Sequence, residues 1–339
     1  MKTLALRLKP LSGPLVFQNE LPRSDTLFGA LVWAMKELGL IGDPKTEFLD
    51  LYEKSPPLVL SSVFPCAYEK DDKGEDIVVE PPRYFFLPKP MYETPGGDFQ
   101  DEAQYEIFKR RKKLRWLKAD DFQKAISEGS LECLEDLKTD EDFKKYPSPG
   151  KLNERPRVRV PRTGGETDLF YQRLVILSAG AWLVMKGEDE WLDKAKAALR
   201  FIGDRGLGGG ATYGMGCFEL GETDMPFEEF TDGNAWVSLS LYYPQHDEWE
   251  RIRKDPISAY RTERRKGRVD SSRLTGGVNV FKRPVLYMAE GSVLPWLDNP
   301  TPGKNPDVTP EGENRPDFSV IAQGVAFAVR ATKRESYDG

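Results

Sequence analysis

The stretch GDRGLGGGATYGMGCF, residues 203–218, carries seven glycines in its first fourteen residues. Each glycine in regular structure costs roughly 0.5–1 kcal/mol relative to alanine, because it loses more backbone freedom on folding. So dense a run predicts positive φ angles, or another molecule lying close to the backbone. An amphipathic helix is predicted before the run, over residues 189–203, and a strand after it, over residues 212–222. The glycines therefore mark a turn from a helix into a strand.

The glycine run does not match the two common nucleotide-binding loops. Gly209 and Gly214 satisfy G-x-x-x-x-G, but Met215 and Gly216 stand where a P-loop needs Lys and Ser or Thr. The dinucleotide pattern G-x-G-x-x-G fails at Ala211. Both loops also follow a strand and open a helix, which is the reverse of the order here. A loop for a nucleoside triphosphate or a dinucleotide is thus excluded.

Two interpretations of the run remain. The N–H groups of successive glycines can form a nest that binds the phosphates of a polynucleotide. Arg205 would flank such a nest, Thr212 would donate a hydroxyl, and Tyr213 would stack on a base. Alternatively, the run is a glycine hairpin that only permits tight packing against a helix.

The elements that precede the run predict a ferredoxin-like βαββαβ unit. Residues 2–10 alternate polar and apolar side chains as a strand does, and residues 21–42 predict a helix, capped by Ser24 or Asp25. Residues 169–185 predict one buried strand before the helix and the glycine turn. Between them, residues 43–156 are charged and proline-rich, and predict a long insertion with a helical portion near residues 101–138.

The pattern restarts in the last third of the chain. Strand-like runs occur at residues 235–244, 283–297 and 318–331, with a Pro- and Gly-rich loop at residues 298–317. We therefore predict an α+β protein with two ferredoxin-like (RRM-like) βαββαβ domains. The first, residues 1–225, contains the insertion and the glycine-rich loop 203–216, and the second, residues 226–339, is a degenerate copy.

Composition and charge narrow the functional class. The net charge of −6 argues against a protein that coats nucleic acid indiscriminately. Cations nevertheless collect in three strips, residues 109–118, 151–162 and 251–273. Each strip alone fits a solvated face, but together they favour a local site for a polyanion.

The cysteine content and the absence of recognisable targeting segments indicate where the protein is expected to reside. The three cysteines are far apart in the sequence, and neither a signal peptide nor an apolar run long enough for a membrane span is apparent. We therefore expect a cytoplasmic protein with no membrane association.

Catalytic candidates are few. His246 is the only histidine, and it lies in a turn just after a predicted strand. No C-x-x-C pair or H-E-x-x-H motif is present, so no metal site is predicted. The acidic pairs lie in charged runs that are typical of solvated surface. We expect no enzymatic activity and no cofactor.

Four stretches carry a family resemblance: GLGGGATYGMGCFEL (206–220), SDTLFGALVWAM (24–35), FLPKP (86–90) and RVRVPRTGGETDLFYQ (157–172). They resemble the RAMP superfamily (repeat-associated mysterious proteins), the RRM-like subunits of CRISPR effector complexes. Across essentially the whole chain, they are similar to the group that forms subunit 4 of the type III-A (Csm) interference complex.

The resemblance implies a non-catalytic subunit, present once in a hetero-oligomeric complex. Such a subunit binds the repeat-derived 5′ handle of the CRISPR RNA and bridges the large polymerase/cyclase-like subunit to the RAMP backbone subunits. The family loop offers a basic residue after its glycine pair, where Gly210 and Ala211 stand here, so the cationic role shifts to Arg205, Arg159 and Arg162. The strip at residues 109–118 is expected to face a protein partner.

The residues expected to contact the RNA are Arg157, Arg159, Arg162, Thr163, Gly164, Arg205, Gly206, Gly208, Gly209, Gly210, Thr212, Tyr213, Gly214, Arg268 and Arg273. Arginine suits this role because it binds phosphates in a bidentate manner and lies flat on bases. Single-stranded RNA is read through such charge and stacking contacts.

Three alternatives remain open. The chain could be a CRISPR RNA-processing ribonuclease on the same fold, with His246 as its general base. It could be the equivalent RAMP subunit of a type III-B complex, or a scaffold in which the glycines serve packing alone.

Overall fold

The computed structural model describes residues 1–92, 102–134, 137, 139–160, 164–269, 279–312 and 315–333. Its helices are α1 (Ser24–Glu37), α2 (Pro44–Glu47), α3 (Glu102–Lys113), α4 (Ala119–Glu128), α5 (Asp140–Lys145), α6 (Asp189–Arg205) and α7 (His246–Ile252). Single 3-10 turns occur at Leu49–Glu53 and Ala211–Tyr213. Among the described residues, no helix has the length and apolar character needed to cross a membrane.

The strands of the first two thirds of the chain are β1 (Lys2–Lys9), β2 (Leu15–Gln18), β3 (Leu58–Leu60), β4 (Phe64–Ala67), β5 (Glu69–Lys70), β6 (Asp76–Ile77), β7 (Tyr84–Pro88), β8 (Trp116–Lys118), β9 (Lys151–Arg159), β10 (Asp168–Leu177), β11 (Ala181–Gly187) and β12 (Glu219–Thr223). The remaining strands are β13 (Ala235–Ser238), β14 (Thr262–Arg265), β15 (Val285–Met288), β16 (Val293–Pro295) and β17 (Ala328–Ala331).

An antiparallel sheet with the order β12-β1-β11-β4-β7-β8 forms the centre of the molecule, and β3 also pairs with β11. Because successive strand residues point to opposite faces, each central strand contributes to two cores. Leu6 and Leu8 of β1 and Leu183 of β11 belong to one buried cluster. Ala5 and Val184 belong to the other. The protein is therefore a mixed α/β structure with a layer on each side of its central sheet.

Helices α1 and α6 cover the first face. Their apolar side chains recur at helical spacing, as in Leu27 and Leu31 of α1 and Ala195 and Leu199 of α6, and all four are buried. Full burial of one leucine contributes roughly 1.5–3 kcal/mol. Both helices were predicted from the sequence, and their buried stripes are confirmed except for Leu38, which is exposed beyond the end of α1.

Helix α4 and a second antiparallel sheet, β16-β13-β17, cover the other face. Val237 of β13 and Val329 of β17 share a cluster with Val184 of the central sheet and Phe122 of α4. The last third of the chain is therefore packed directly on the central sheet through a continuous apolar layer.

The prediction of one strand over residues 169–185 is wrong. Strand β10 pairs with β2 and β9, whereas β11 pairs with β1, so the two strands belong to different sheets. Gly180 makes the bend between them: its φ is +74°, and a Cβ there would lie 2.4 Å from the carbonyl oxygen of Leu8. The apolar run of residues 174–185 continues through the bend, which is why the sequence alone did not separate the strands.

Four other strand boundaries also differ from the prediction, and one of them is that of residues 235–244, where β13 ends at Ser238. The strand after the glycines begins at Glu219 instead of residue 212, because a 3-10 turn occupies Ala211–Tyr213. Residues 283–297 hold two strands, β15 and β16, and in residues 318–331 only β17 is a strand.

The segment 43–156 contributes to the central sheet through β3, β4, β7 and β8. Its helical portion is split by β8 into α3 and α4. Helix α1 also differs at its start, because its N-cap residue is Arg23 and no side chain caps it. The Asp25 carboxylate instead pairs with Arg265, at 3.1 Å from Nε.

Candidate nucleic-acid interface

The glycine loop, residues 206–216, is closed by its own backbone. The Gly206 N–H donates to the carbonyl oxygen of Ile202 at 2.7 Å, which ends α6, and the Leu207 N–H donates to that of Gly216 at 2.9 Å. The Gly216 N–H donates in turn to the carbonyl oxygen of Val16 in β2 at 2.8 Å. The buried Leu207 side chain anchors the loop from below. The loop is thus held against β2 in a single arrangement.

Some of the glycines are required by the protein itself. A Cβ at Gly216 would lie 2.2 Å from the carbonyl oxygen of Leu207, and one at Gly206 would lie 2.3 Å from that of Met215. Both residues also have positive φ. Gly203 is similarly blocked by the backbone of Phe218. At these three positions, tight internal packing explains the glycine without a ligand.

Other glycines of the loop have free space. Gly208 and Gly214 have φ of +84° and +76°, yet a Cβ would meet only Pro22 Cγ at 3.8 Å in the first case and nothing within 4 Å in the second. Among the residues that the structure describes, none accepts a hydrogen bond from the N–H groups of Gly208, Gly209 or Gly210. Adjacent donors of this kind can bind an anionic oxygen.

An arginine from a distant strand meets this loop. The guanidinium of Arg157 in β9 lies 5.2 Å from the centre of the Tyr213 ring, within cation–π range. Its Nε also donates to Gln172 Oε1 at 3.1 Å, which fixes the side chain from the neighbouring strand. The Tyr213 side chain is still largely exposed, at 72% for the residue. One face of the ring therefore carries a cation while much of the residue is open to solvent.

Strands β9 and β10 form a long two-stranded ribbon with two different faces. Arg157 lies opposite Phe170 in the register, and the Arg159 guanidinium lies 6.0 Å from the Phe170 ring. The face that carries these two arginines is the one that meets the glycine loop through Tyr213. A ribbon of this kind offers both phosphate contacts and aromatic surface to a nucleic-acid strand.

The opposite face of the ribbon is apolar and exposed. Val158 lies opposite Leu169, and Pro156 lies opposite Tyr171. Val158, Leu169 and Tyr171 are 59%, 62% and 64% exposed. Apolar side chains in such a row are typical of a surface that another molecule covers.

The remaining predicted site residues are spread more widely. Arg205 pairs with Glu37 of α1 at 2.5 Å and lies 5.3 Å from the Phe201 ring, so its charge is partly neutralised within the protein. Arg268 lies 4.7 Å from the Phe281 ring. Gly164 precedes β10, with φ +80° and open space around it. Arg162, Thr163 and Arg273 lie outside the described residues.

Sequence reasoning missed two contributors to this interface. Strand β2 was not predicted, although it alternates as a strand does. Leu15 and Phe17 are buried, and Val16 and Gln18 between and after them are only partly buried. At its end, Gln18 lies beside the loop, since a Cβ at Gly209 would be 3.1 Å from Gln18 Oε1. Phe170 was also overlooked as a site residue, although it lies in the stretch 157–172 that carries the family resemblance.

The catalytic candidates are not brought together. His246 is exposed at the start of α7 and is the first residue of that helix. Within the described ranges, no group of three His, Cys, Asp or Glu side chains is arranged to hold a metal ion.

Comparison with known proteins identifies the class to which this fold and loop belong. The family model of the RAMP superfamily matches residues 23–219, and that of the CRISPR Csm4 C-terminal domain matches residues 231–330. The chain therefore belongs to the RAMP superfamily and, within it, to the Csm4 subunits.

A curated relative and two solved structures agree with this membership. The relative, the "CRISPR system Cms protein Csm4" of Thermococcus onnurineus (strain NA1), is 27% identical over 268 residues, which are 75% of this chain and 80% of the relative. A chain of a Csm1–Csm4 cassette in complex with pppApA has a TM-score of 0.62 at 21% identity, over 98% of this chain and 100% of that one. A chain of a Csm3–Csm4 subcomplex has a TM-score of 0.59 at 16% identity, over 97% and 99% of the two chains.

Proposed function

We propose that this chain is the non-catalytic subunit of a type III-A CRISPR interference complex that binds the 5′ handle of the CRISPR RNA. The observation that carries the proposal is the contact between Arg157 and Tyr213, placed beside the unpartnered N–H groups of the glycine loop. This arrangement combines a cation, an exposed ring and backbone donors within one small surface. These are the groups that bind single-stranded nucleic acid.

Each group has a distinct role in the proposed site. The N–H groups of residues 208–210 donate to phosphate oxygens of the handle, where the absence of side chains lets the RNA backbone approach. Tyr213 stacks on one base, a contact worth about 1–3 kcal/mol. Arg157 and Arg159 neutralise the adjacent phosphates, and their aromatic neighbours hold the guanidinium planes in place.

We further infer that residues 1–225 form a ferredoxin-like unit. The order β12-β1-β11-β4, with α1 after β1 and α6 after β11, is the order expected for a βαββαβ chain. We infer a degenerate second unit in residues 226–339. Its strands have the order β17-β13-β16, an isolated bridge joins Ala259 to Val293 of β16, and no helix occurs in the described part of residues 298–327.

The partners follow from the structural relatives. Csm4 proteins are found with Csm1 in one set of solved structures and with Csm3 in another. We propose that this chain, too, contacts a large Csm1-type subunit and a Csm3-type backbone subunit, and that it bridges them once per complex. The exposed apolar face of the ribbon, with Val158, Leu169 and Tyr171, is available for such contacts.

The proposal assigns no catalytic step to this chain. A ribonuclease would need a general base beside the bound RNA. His246 lies at the start of α7, and α7 belongs to neither the glycine loop nor the β9–β10 ribbon. If His246→Ala abolished cleavage of a repeat RNA, the ribonuclease alternative would replace the present one. The type III-B alternative differs only in which subunits purify with the chain.

A binding titration across a salt series tests the function. The labelled CRISPR RNA is titrated with and without its 5′ handle, using the complex assembled with wild type, Arg157→Ala, Tyr213→Ala or Arg173→Ala. Arg173 is the matched control, because it is an exposed ribbon arginine that pairs with Glu154. We expect handle-dependent binding that weakens in the first two variants and not in the control. Binding indifferent to the handle and to both variants would leave a protein scaffold.

A further inference from the structure

A second cationic site lies on the other side of Pro22 from the glycine loop. It is a cavity of about 330 Å³, lined at one edge by Leu21 and Arg23. Pro22 lies between those two residues in the chain, and its Cγ would be 3.8 Å from a Cβ at Gly208. Pro22 therefore connects the edge of the cavity to the glycine loop.

The cations of this cavity come from four separate parts of the sequence. Arg23 precedes α1, Lys89 follows β7, Arg261 precedes β14, and Lys112, Lys113 and Arg115 lie at the end of α3 and just beyond it. The strip at residues 109–118, expected to face a protein, therefore contributes Lys112, Lys113 and Arg115 to a concave surface. Tertiary structure alone brings these charges together.

The described carboxylates leave most of the cations that line the cavity without an ion pair. Its one lining carboxylate, Glu290, is already paired with Arg23 at 2.6 Å and accepts a hydrogen bond from the Ser62 hydroxyl. Lys112, Lys113, Arg115 and Arg261 form no ion pair with a described carboxylate, and Lys89 Nζ donates to the carbonyl oxygens of Arg111 and Lys112 at 2.6 and 3.0 Å. Unpaired like charges in a concave site are unfavourable unless an anion binds there.

Burial and neighbouring positive charges lower the pKa of two of these cations. Burial, together with the charges of Lys112 and Arg261, lowers the pKa of Lys89 to about 8. Burial and then the charge of Arg23 also lower the pKa of Arg115, and Arg261 adds to the effect. Each of these cations would be stabilised by an anion in the cavity.

One wall of the cavity is apolar. Met91, Leu114 and Trp116 line it, and the Arg115 guanidinium lies 5.0 Å from the Trp116 ring. A cavity lined by both cationic and apolar or aromatic side chains suits a ligand that has both an anionic group and a flat ring. The volume is at the lower end of the range of small-molecule sites, roughly 300–1,000 Å³.

We propose that this cavity is a binding site for one phosphate-bearing nucleotide. Its phosphate lies among Lys89, Lys112 and Arg261, and its base lies against the wall formed by Leu114 and Trp116. The nucleotide is either a unit of the RNA that also contacts the glycine loop or a free nucleotide. The first source rests on the function proposed above, and the second does not.

The test removes two exposed cavity cations and leaves the buried pair intact. Lys112→Gln/Arg261→Gln is compared with Lys45→Gln/Lys54→Gln, a control pair of exposed lysines that do not line the cavity. The assembled complex is titrated with CRISPR RNA across a salt series, and the isolated full chain is titrated with AMP by calorimetry. Tyr213→Ala is measured in parallel, so that the loop and the cavity are judged separately.

If the RNA supplies the nucleotide, the cavity variant loses roughly tenfold in RNA affinity for each phosphate contact removed. Its salt slope falls by about 0.7 per contact. If a free nucleotide is the ligand, the variant loses AMP binding and keeps RNA binding. Unchanged binding of both ligands would overturn the proposal. Loss of RNA binding in Tyr213→Ala alone, with AMP binding unchanged in the cavity variant, would retain the proposed function and reject the cavity. Loss of RNA binding in the cavity variant alone would retain the cavity and reject the proposed role of Tyr213.

Discussion

The guanidinium of Arg157 lies 5.2 Å from the centre of the Tyr213 ring, and this contact joins the β9–β10 ribbon to the glycine loop. The two residues lie on opposite sides of β11 and α6 in the sequence. The contact orients the cation and leaves Tyr213 largely exposed to solvent. It therefore sets the geometry of the proposed RNA site before any RNA is bound.

The first prediction concerns this contact. In a double-mutant cycle, Arg157→Ala and Tyr213→Ala should show a coupling free energy of about 0.5–1 kcal/mol for stability, as expected of an exposed cation–π pair. For RNA binding, Tyr213→Ala alone should cost about 1–3 kcal/mol, because a stacked base is lost. Unfolding midpoints and fluorescence anisotropy measure the two effects. A Tyr213→Phe variant that binds as weakly as Tyr213→Ala would argue against stacking.

The second prediction separates the glycines that packing requires from those that remain open. Gly214→Ala places a side chain at positive φ without a clash and should cost roughly 1–2 kcal/mol. Gly216→Ala has the same φ penalty and also places its Cβ 2.2 Å from a carbonyl oxygen. It should cost roughly 3 kcal/mol or more, because the backbone must move.

Denaturant unfolding of the full chain, followed by circular dichroism, compares these two variants. Because the φ angles of Gly214 and Gly216 are nearly equal, the difference in unfolding free energy between the two variants measures the cost of the clash with the Leu207 carbonyl oxygen. Equal midpoints would mean that the loop relaxes freely, which would contradict the single closed arrangement described here.

The third prediction concerns the buried ion pair between the two parts of the chain. Arg23 and Glu290 are both almost fully buried, with 2.6 Å between Nη2 and Oε2. Burial alone would lower the pKa of Arg23, but the carboxylates of Glu290 and Glu263 raise it above its usual value. Glu290→Gln should destabilise the fold by about 3–5 kcal/mol, because a buried charge loses its main partner.

The matched control for this pair is Glu190→Gln, which breaks the exposed pair with Lys194 at 2.7 Å. It should change stability by only about 0.3–0.5 kcal/mol. Thermal and denaturant unfolding measure both variants. If the two variants lost the same amount of stability, the buried pair would have no special part in joining the chain's two halves.

The fourth prediction is a pH dependence at the cavity. Because the pKa of Lys89 is lowered to about 8, this side chain loses its proton as the pH rises through that value. Affinity for a phosphate ligand should therefore fall as the pH rises through about 8. The other charged groups facing the cavity are Arg23, Lys112, Lys113, Arg115, Arg261 and Glu290.

Lys89→Gln retains all of those groups, so its comparison with wild type isolates Lys89. AMP titrations from pH 7 to pH 9, a range of about one unit on each side of the Lys89 pKa, should be flatter in the variant. A parallel decline in both proteins would assign the pH dependence to another group.

The sequence by itself determined the local elements around the glycine run. The apolar spacing of α1 and α6 predicted their buried faces, and the glycine pattern excluded a nucleotide loop. The arginines of β9 were identified from charge and from the family resemblance. These features depend on residues close together in the chain, where period and residue type act directly on the backbone.

The tertiary structure decided what those elements meet. Gly180 separates β10 from β11 because Leu8 of a distant strand leaves no room for a side chain, and no local pattern contains that information. Arg157 reaches Tyr213, and Arg261 reaches Lys89, only after the sheets and helices have packed. Long-range packing fixes these pairs, so the sequence determined which groups could bind an anion and the fold determined which of them do so together.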